Sequence, residues 1–160
     1  MAPPEQERLT HVDESGAARM VDVGDKPVTT RTASASGRVL VSRTVVDLLR
    51  GEGVPKGDAL AVARVAGIMG AKQTPMLVPL CHPLSISGVS VDLVVTDESV
   101  DITATVRTTD RTGVEMEALT AVSVAALTVV DMVKAVDKAA VITDVRVETK
   151  TGGRSGSWSR

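Results

Sequence analysis

The sequence predicts an α+β fold in which one antiparallel sheet packs on helices. Two adjacent segments carry the strand half of that reading. Val89, Val91, Leu93 and Val95, and then Val100, Ile102, Ala104 and Val106, alternate with more polar residues at the period of two expected of half-buried strands. A long uncharged apolar run, Ala118 to Val130, carries the helix half, as the middle of the longest helix expected in the chain. The third observation is order. One strand precedes the early helices and another follows the long one, giving β-α-α-β-β-α-β. With the two early helices taken as one crossover, this is the split β-α-β-β-α-β order of a ferredoxin-like sheet.

The elements follow in turn. A first strand is expected over Thr32–Val41. Ser42-Arg43-Thr44 then caps a short helix, Val45–Arg50, which Gly51 and Gly53 stop. A second helix starts at Gly57-Asp58, with Asp58 as N-cap, and runs to about Lys72. Leu60, Ala63, Ala66, Gly67 and Gly70 form its packed side, small enough for another backbone to come close. Asp97-Glu98-Ser99 makes the hairpin turn between the two alternating strands. The long helix covers about Val114–Val136, and its apolar middle predicts burial on nearly every side. The last strand is Val141–Val147. Residues 1–8, polar and proline-containing, are expected to be disordered, 9–150 to form a single domain, and 151–160 a flexible glycine-rich tail.

Composition narrows the partners. The 160 residues are 43% hydrophobic, which excludes a disordered chain, yet there is no Phe or Tyr and one Trp. A core of Val, Ala, Leu, Ile and Met buries little area per side chain, at about 0.8 kcal/mol per CH₂. Such a core gains by extending across a subunit interface, so a homo-oligomer is expected. With 18 basic and 20 acidic residues the net charge is −2, which points to no nucleic acid or membrane surface as partner. A small anionic ligand remains open, because a local basic pocket need not show in the total. Cys81 is the single cysteine, so no intramolecular disulfide forms, as suits a reducing cytosol. The N-terminal residues lack the apolar stretch of a signal peptide. The apolar run at 118–130 falls short of the ~20 residues needed to span a bilayer. The expected location is cytoplasmic.

Four groups of residues could carry chemistry. Pro79 and Pro83 stiffen the loop that presents Leu80, Cys81 and His82. A metal reading of Cys81 and His82 fails, since neighbours in extended chain point opposite ways and the chain has one other His and no other Cys. His82 is either a loop histidine making ordinary hydrogen bonds or a group that binds an anion or moves a proton. Glu115 and Glu117, flanking Met116, sit where a helix macrodipole favours acidic residues, so a purely structural role is open to them. Asp131 and Lys134 share one helix face. On a surface such a pair is worth a few tenths of a kcal/mol, but on a buried helix it is costly or useful. Arg31, Lys56, Lys72 and Lys150 are basic positions that would each, taken singly, be solvated surface.

Helix length adds a constraint. Glu117 and Asp131 lie about 21 Å apart along an unbroken helix. One straight helix cannot bring both to one small ligand. If both ends serve one site, a second chain supplies one of them.

Taken together and in order, these segments resemble one family. Leu9-Thr10-His11-Val12-Asp13, Met20-Val21-Asp22-Val23, Ala66-Gly67-Ile68 with Ala71-Lys72, Pro79-Leu80-Cys81-His82-Pro83-Leu84, Gly113-Val114-Glu115-Met116-Glu117-Ala118-Leu119, Asp131-Met132-Val133-Lys134-Ala135 and Lys150-Thr151-Gly152-Gly153-Arg154-Ser155-Gly156 follow the pattern of the cyclic pyranopterin monophosphate synthases of molybdenum-cofactor biosynthesis. The Leu-Cys-His-Pro and Gly-Val-Glu-Met-Glu segments are the most specific. Arg154 stands where Lys is expected, and Val129-Val130 where an Ile-Tyr pair is common.

The resemblance implies a lyase that converts 3′,8-cyclised dihydro-GTP to cyclic pyranopterin monophosphate and pyrophosphate. It implies a ferredoxin-like fold and a hexamer built as three dimers, with sites at the dimer interface. No cofactor and no metal are expected. Lys56 and Lys134 are assigned as acid/base groups. Asp131 orients Lys134 and favours its charged form, so Lys134 suits the acid role. Glu115 and Glu117 suit the donors of the guanine-derived ring. His82, Arg31, Lys72 and Lys150 suit the phosphates, and Leu80, Cys81 and Met116 belong to the substrate-binding set. Two rival classes are a non-catalytic pterin- or nucleotide-binding protein and a structural oligomerisation domain. Intact Lys56, Asp131 and Lys134 speak against the first, and charged residues beside so apolar a helix against the second.

Overall fold

The computed structural model describes residues 8–51 and 58–160. Its elements are β1 (Thr29–Leu40), α1 (Arg43–Arg50), α2 (Ala59–Leu77), β2 (Ile86–Val95), β3 (Ser99–Asp110), α3 (Glu115–Val133), β4 (Val141–Thr151) and β5 (Trp158–Ser159). The antiparallel sheet runs β2-β3-β1-β4-β5. Its first four strands have the order of the ferredoxin-like arrangement, and the α+β reading holds. Helices α2 and α3 pack together and cover one face of the sheet.

Local chemistry explains the helix bounds. Ser42 Oγ accepts from Val45 N at 3.3 Å and starts α1, while Asp58 Oδ1 accepts from Ala61 N at 3.0 Å and starts α2. Helix α2 does not end near Lys72 but continues to Leu77, through Pro75. Pro75 has no N–H to give to the carbonyl of Ala71 four residues back. Thr74 Oγ1 donates to that carbonyl instead, at 2.9 Å, so the last turn survives.

The aromatic-poor core works by close approach. A Cβ on Gly67 would sit 2.9 Å from the carbonyl oxygen of Ala121, and one on Gly70 would sit 2.8 Å from Val124 Cγ2. These positions let α2 and α3 lie backbone to backbone, with Ala63, Ala71, Ala118, Ala121 and Ala125 filling the seam. Ile102, Val39, Val100 and Val106 supply the bulk from the sheet.

Helix α3 departs from expectation in one respect. It is not buried on every side, because the sheet and α2 cover only part of its circumference. Leu127 is 59% exposed and Met116 is exposed too, while Ala118, Ala121, Val122, Ala125, Val129 and Val133 are fully buried. By length and composition alone α3 could cross a membrane, but half of its apolar window is packed inside this fold. Strand β4 outruns its expected end by four residues, from Val147 to Thr151. Beyond it the chain turns at Gly152, Gly153 and Gly156, all at positive φ, and returns as β5. That return was not anticipated from the sequence.

Candidate active site

One end of the sheet gathers the chemistry. Strand β1 begins there, and β3 and β4 end there, with Thr29 paired to Asp110 and Thr32 to Thr151. The connection after β3 leads directly into the first turn of α3.

Arg31, 9% exposed, ties these pieces together. Its Nε donates to the Asp110 carbonyl at 3.1 Å and its Nη2 to the Arg111 carbonyl at 3.2 Å. Gly153, at φ 77°, lies against the same guanidinium, where a Cβ would collide with it. Lys150, on β4, places Nζ 3.3 Å from Glu115 Oε1 and donates to Ser155 Oγ at 2.7 Å. Arg31, Lys150, Lys26, Arg154, Glu115 and Ser155 thereby line a cavity of about 490 Å³. Four cations against one carboxylate leave the lining with an excess of positive charge, the balance that suits a multiply charged anion.

A second cavity, of about 220 Å³, adjoins the first. Thr112, Gly113 and Glu115 border both. Leu80, Cys81, His82, Met116, Glu117 and His11 complete the second wall. Glu117 is 2% exposed, and its Oε2 has no hydrogen-bond partner among the described residues. Burial, and then the nearby Glu115, push its pKa up to about 7. A buried carboxyl without a partner is costly, and a ligand donor would relieve it. Burial, with a smaller contribution from Glu117, also raises the Cys81 pKa, so this sulfur stays a neutral thiol at pH 7. His82 Nε2 lies 2.7 Å from the Val21 carbonyl. A carbonyl only accepts, so Nε2 carries the hydrogen.

The structure therefore brings together Arg31, Leu80, Cys81, His82, Glu115, Met116, Glu117 and Lys150. It leaves others apart. Lys72 is exposed on α2 and borders neither cavity. Asp131 and Lys134 lie at the far end of the unbroken α3, Nζ to Oδ1 at 2.6 Å. Their side chains are 57% and 58% exposed, so the pair is not buried; it lies on the uncovered side of α3, while Met132 and Val133 beside it are buried. Lys56 falls outside the described residues. Lys26 and Ser155 border the larger cavity without having been singled out in the sequence. Lys26 sits in a loop with no chemical pattern of its own, and Ser155 enters only because the tail folds back.

The model of the MoaC family matches residues 20–153 of this chain. The chain belongs to the MoaC family. It is 85% identical over 156 residues to a cyclic pyranopterin monophosphate synthase of Nocardioides sp., covering 96% of each chain. A cyclic pyranopterin monophosphate synthase of Streptomyces avermitilis is 80% identical over 99% of this chain and 93% of its own. Cyclic pyranopterin monophosphate synthase 2 of Mycobacterium tuberculosis is 62% identical over 95% of this chain and 91% of its own. The stretch matched to the MoaC model contains every residue that the two cavities share.

Proposed function

We propose that this MoaC-family chain is a cyclic pyranopterin monophosphate synthase, a lyase that turns 3′,8-cyclised dihydro-GTP into cyclic pyranopterin monophosphate and pyrophosphate in molybdenum-cofactor biosynthesis. The observation that carries the reading is the pair of adjoining cavities with Glu115 on their common wall. One is lined by cations and suits a triphosphate. The other is smaller, lined by Cys81, His82 and a carboxyl near its titration point, and suits a flat ring rich in N–H donors.

In this reading Arg31 and Lys150 hold phosphate oxygens through charge-assisted hydrogen bonds. Lys150 exchanges its contact with Glu115 for a phosphate, which frees Glu115 to accept from the ring. Glu117 takes a ring N–H on its unpartnered oxygen. Closing a cyclic phosphate with pyrophosphate leaving concentrates negative charge, and fixed cations stabilise that charge where it develops.

Lys56, Asp131 and Lys134 are the acid/base group of the proposal. Asp131 stands about 21 Å and Lys134 about 25 Å up the helix from Glu117, so a second chain brings them to this site. The assembly proposed is a homo-oligomer, a hexamer built as three dimers with sites at the dimer interface, working in the cytoplasm. Lys72, exposed on α2, faces the phosphates of a neighbouring chain's site in this assembly.

The experiment is incubation with enzymatically prepared cyclised dihydro-GTP, with detection of the pyranopterin product and pyrophosphate. Turnover that disappears in both Lys56→Ala and Lys134→Ala establishes enzyme and lysines together. Binding without pyrophosphate release would instead leave a pterin- or nucleotide-binding protein.

A further inference from the structure

The segment before β1 forms a strap. Residues 11–19 make a small hairpin, with Val12 bridged to Ala18 and Arg19 N bonded to the His11 carbonyl at 2.8 Å. Asp13 closes its turn by accepting from Ser15 and Ala17. Further along, Gly24 N donates to Asp22 Oδ1 at 2.8 Å and Lys26 N to the Val23 carbonyl at 3.1 Å. All these bonds are internal to the strap. Residues 13–20 are exposed throughout.

Yet the strap reaches both cavities. His11, near its start, borders the smaller one, and Lys26, at its end, borders the larger. Between them the Val21 carbonyl accepts the hydrogen bond from His82 Nε2, at 2.7 Å. The stiff Pro79–Pro83 loop thus grips the strap midway between the two residues it delivers.

We infer that His82 is a positioning residue: its imidazole holds the strap of residues 11–26 against the body, so that His11 and Lys26 border the two cavities. Its effect on turnover rests on the proposed function, whereas its effect on the strap does not. With Nε2 engaged by the strap, His82 contributes to substrate affinity through Lys26 and His11.

The test uses three variants of the full chain. His82→Gln places an amide N–H near the position of Nε2, while His82→Ala and His82→Asn cannot reach the Val21 carbonyl. Trypsin reads the strap directly, because Arg19 is exposed in it. Losing one hydrogen bond should speed cleavage after Arg19 about three- to tenfold in the Ala and Asn variants. The Gln variant should match wild type, with melting temperatures alike in all. With cyclised dihydro-GTP, KM should rise by a similar factor in Ala and Asn, kcat should hold, and Gln should restore KM. Equal cleavage in all four proteins would overturn the inference. So would a Gln variant that protects Arg19 but loses kcat, since the ring would then act on substrate itself. A wild type without turnover would sink the functional reading alone, and the protease comparison would still decide the strap.

Discussion

Lys150 Nζ lies 3.3 Å from Glu115 Oε1, and this contact joins the last residues of β4 to the first turn of α3. Both side chains are about three-quarters covered, and both border the cation-lined cavity. In the proposed reading Lys150 exchanges this contact for a phosphate when substrate binds. Lys150→Met should therefore weaken binding of inorganic pyrophosphate by about ten- to a hundredfold, the worth of a charge-assisted hydrogen bond. Titration calorimetry checks this. An unchanged affinity would remove Lys150 from the phosphate set.

Gly153 and Gly156 separate a backbone effect from a steric one. Both hold positive φ, 77° and 67°, so alanine at either strains the backbone by about 1 kcal/mol. Only at Gly153 would the new Cβ strike the Arg31 guanidinium, whereas nothing lies near Gly156. Gly153→Ala should lose more thermal stability than Gly156→Ala, because it also displaces Arg31 from its two carbonyls, and it alone should lose pyrophosphate affinity. Equal affinity in both would mean that Arg31 does not bind phosphate.

Glu117 should leave a signature in the pH dependence of stability. Its folded pKa is raised from 4.5 to about 7, so the folded protein holds this proton where the unfolded chain has lost it. The associated stability is present in full below pH 4.5 and is lost as pH rises through about 7. Wild type should gain roughly 1–3 kcal/mol, relative to Glu117→Gln, on going from pH 8 to pH 5. Urea unfolding of both proteins across that range measures it. Parallel curves would show that Glu117 titrates as an ordinary glutamate.

Lys134 should matter little to stability. Its contact with Asp131 is exposed and spaced i,i+3, so Lys134→Ala should cost about 0.5 kcal/mol or less. In the proposed reading the same variant abolishes turnover. A large fall in melting temperature would make Lys134 a structural residue instead.

Much of this was legible in the sequence, for identifiable reasons. Period-two alternation located β2 and β3 because each strand buries one face, and the small residues of α2 marked the seam with α3. The Leu80–His82 loop was readable because two prolines stiffen it, and the Glu115–Glu117 turn because its Gly-Val-Glu-Met-Glu order is specific, since carboxylates in a first turn are ordinary. The end of α2 was not, because the Thr74 hydroxyl substitutes for a bond that Pro75 removes, and no periodicity reports that. Whether Asp131 and Lys134 form a surface or a buried pair stayed open, because an apolar helix looks buried whether its outer side meets this chain, another chain or water. Strand β5 was hidden because Trp158–Ser159 is too short to show alternation. Lys26 and Ser155 join the site only through tertiary folding.

In the proposed reading the two ends of α3 serve one site contributed by two chains. The direct measurement is complementation between Lys134→Ala and Lys150→Ala, each inactive alone, mixed by co-refolding in equal amounts. A shared site predicts recovery of about a quarter of wild-type turnover, because half the pairs are mixed and each holds one intact site. No recovery, with mixed oligomers verified by mass, would contradict the claim and place the whole site within a single chain.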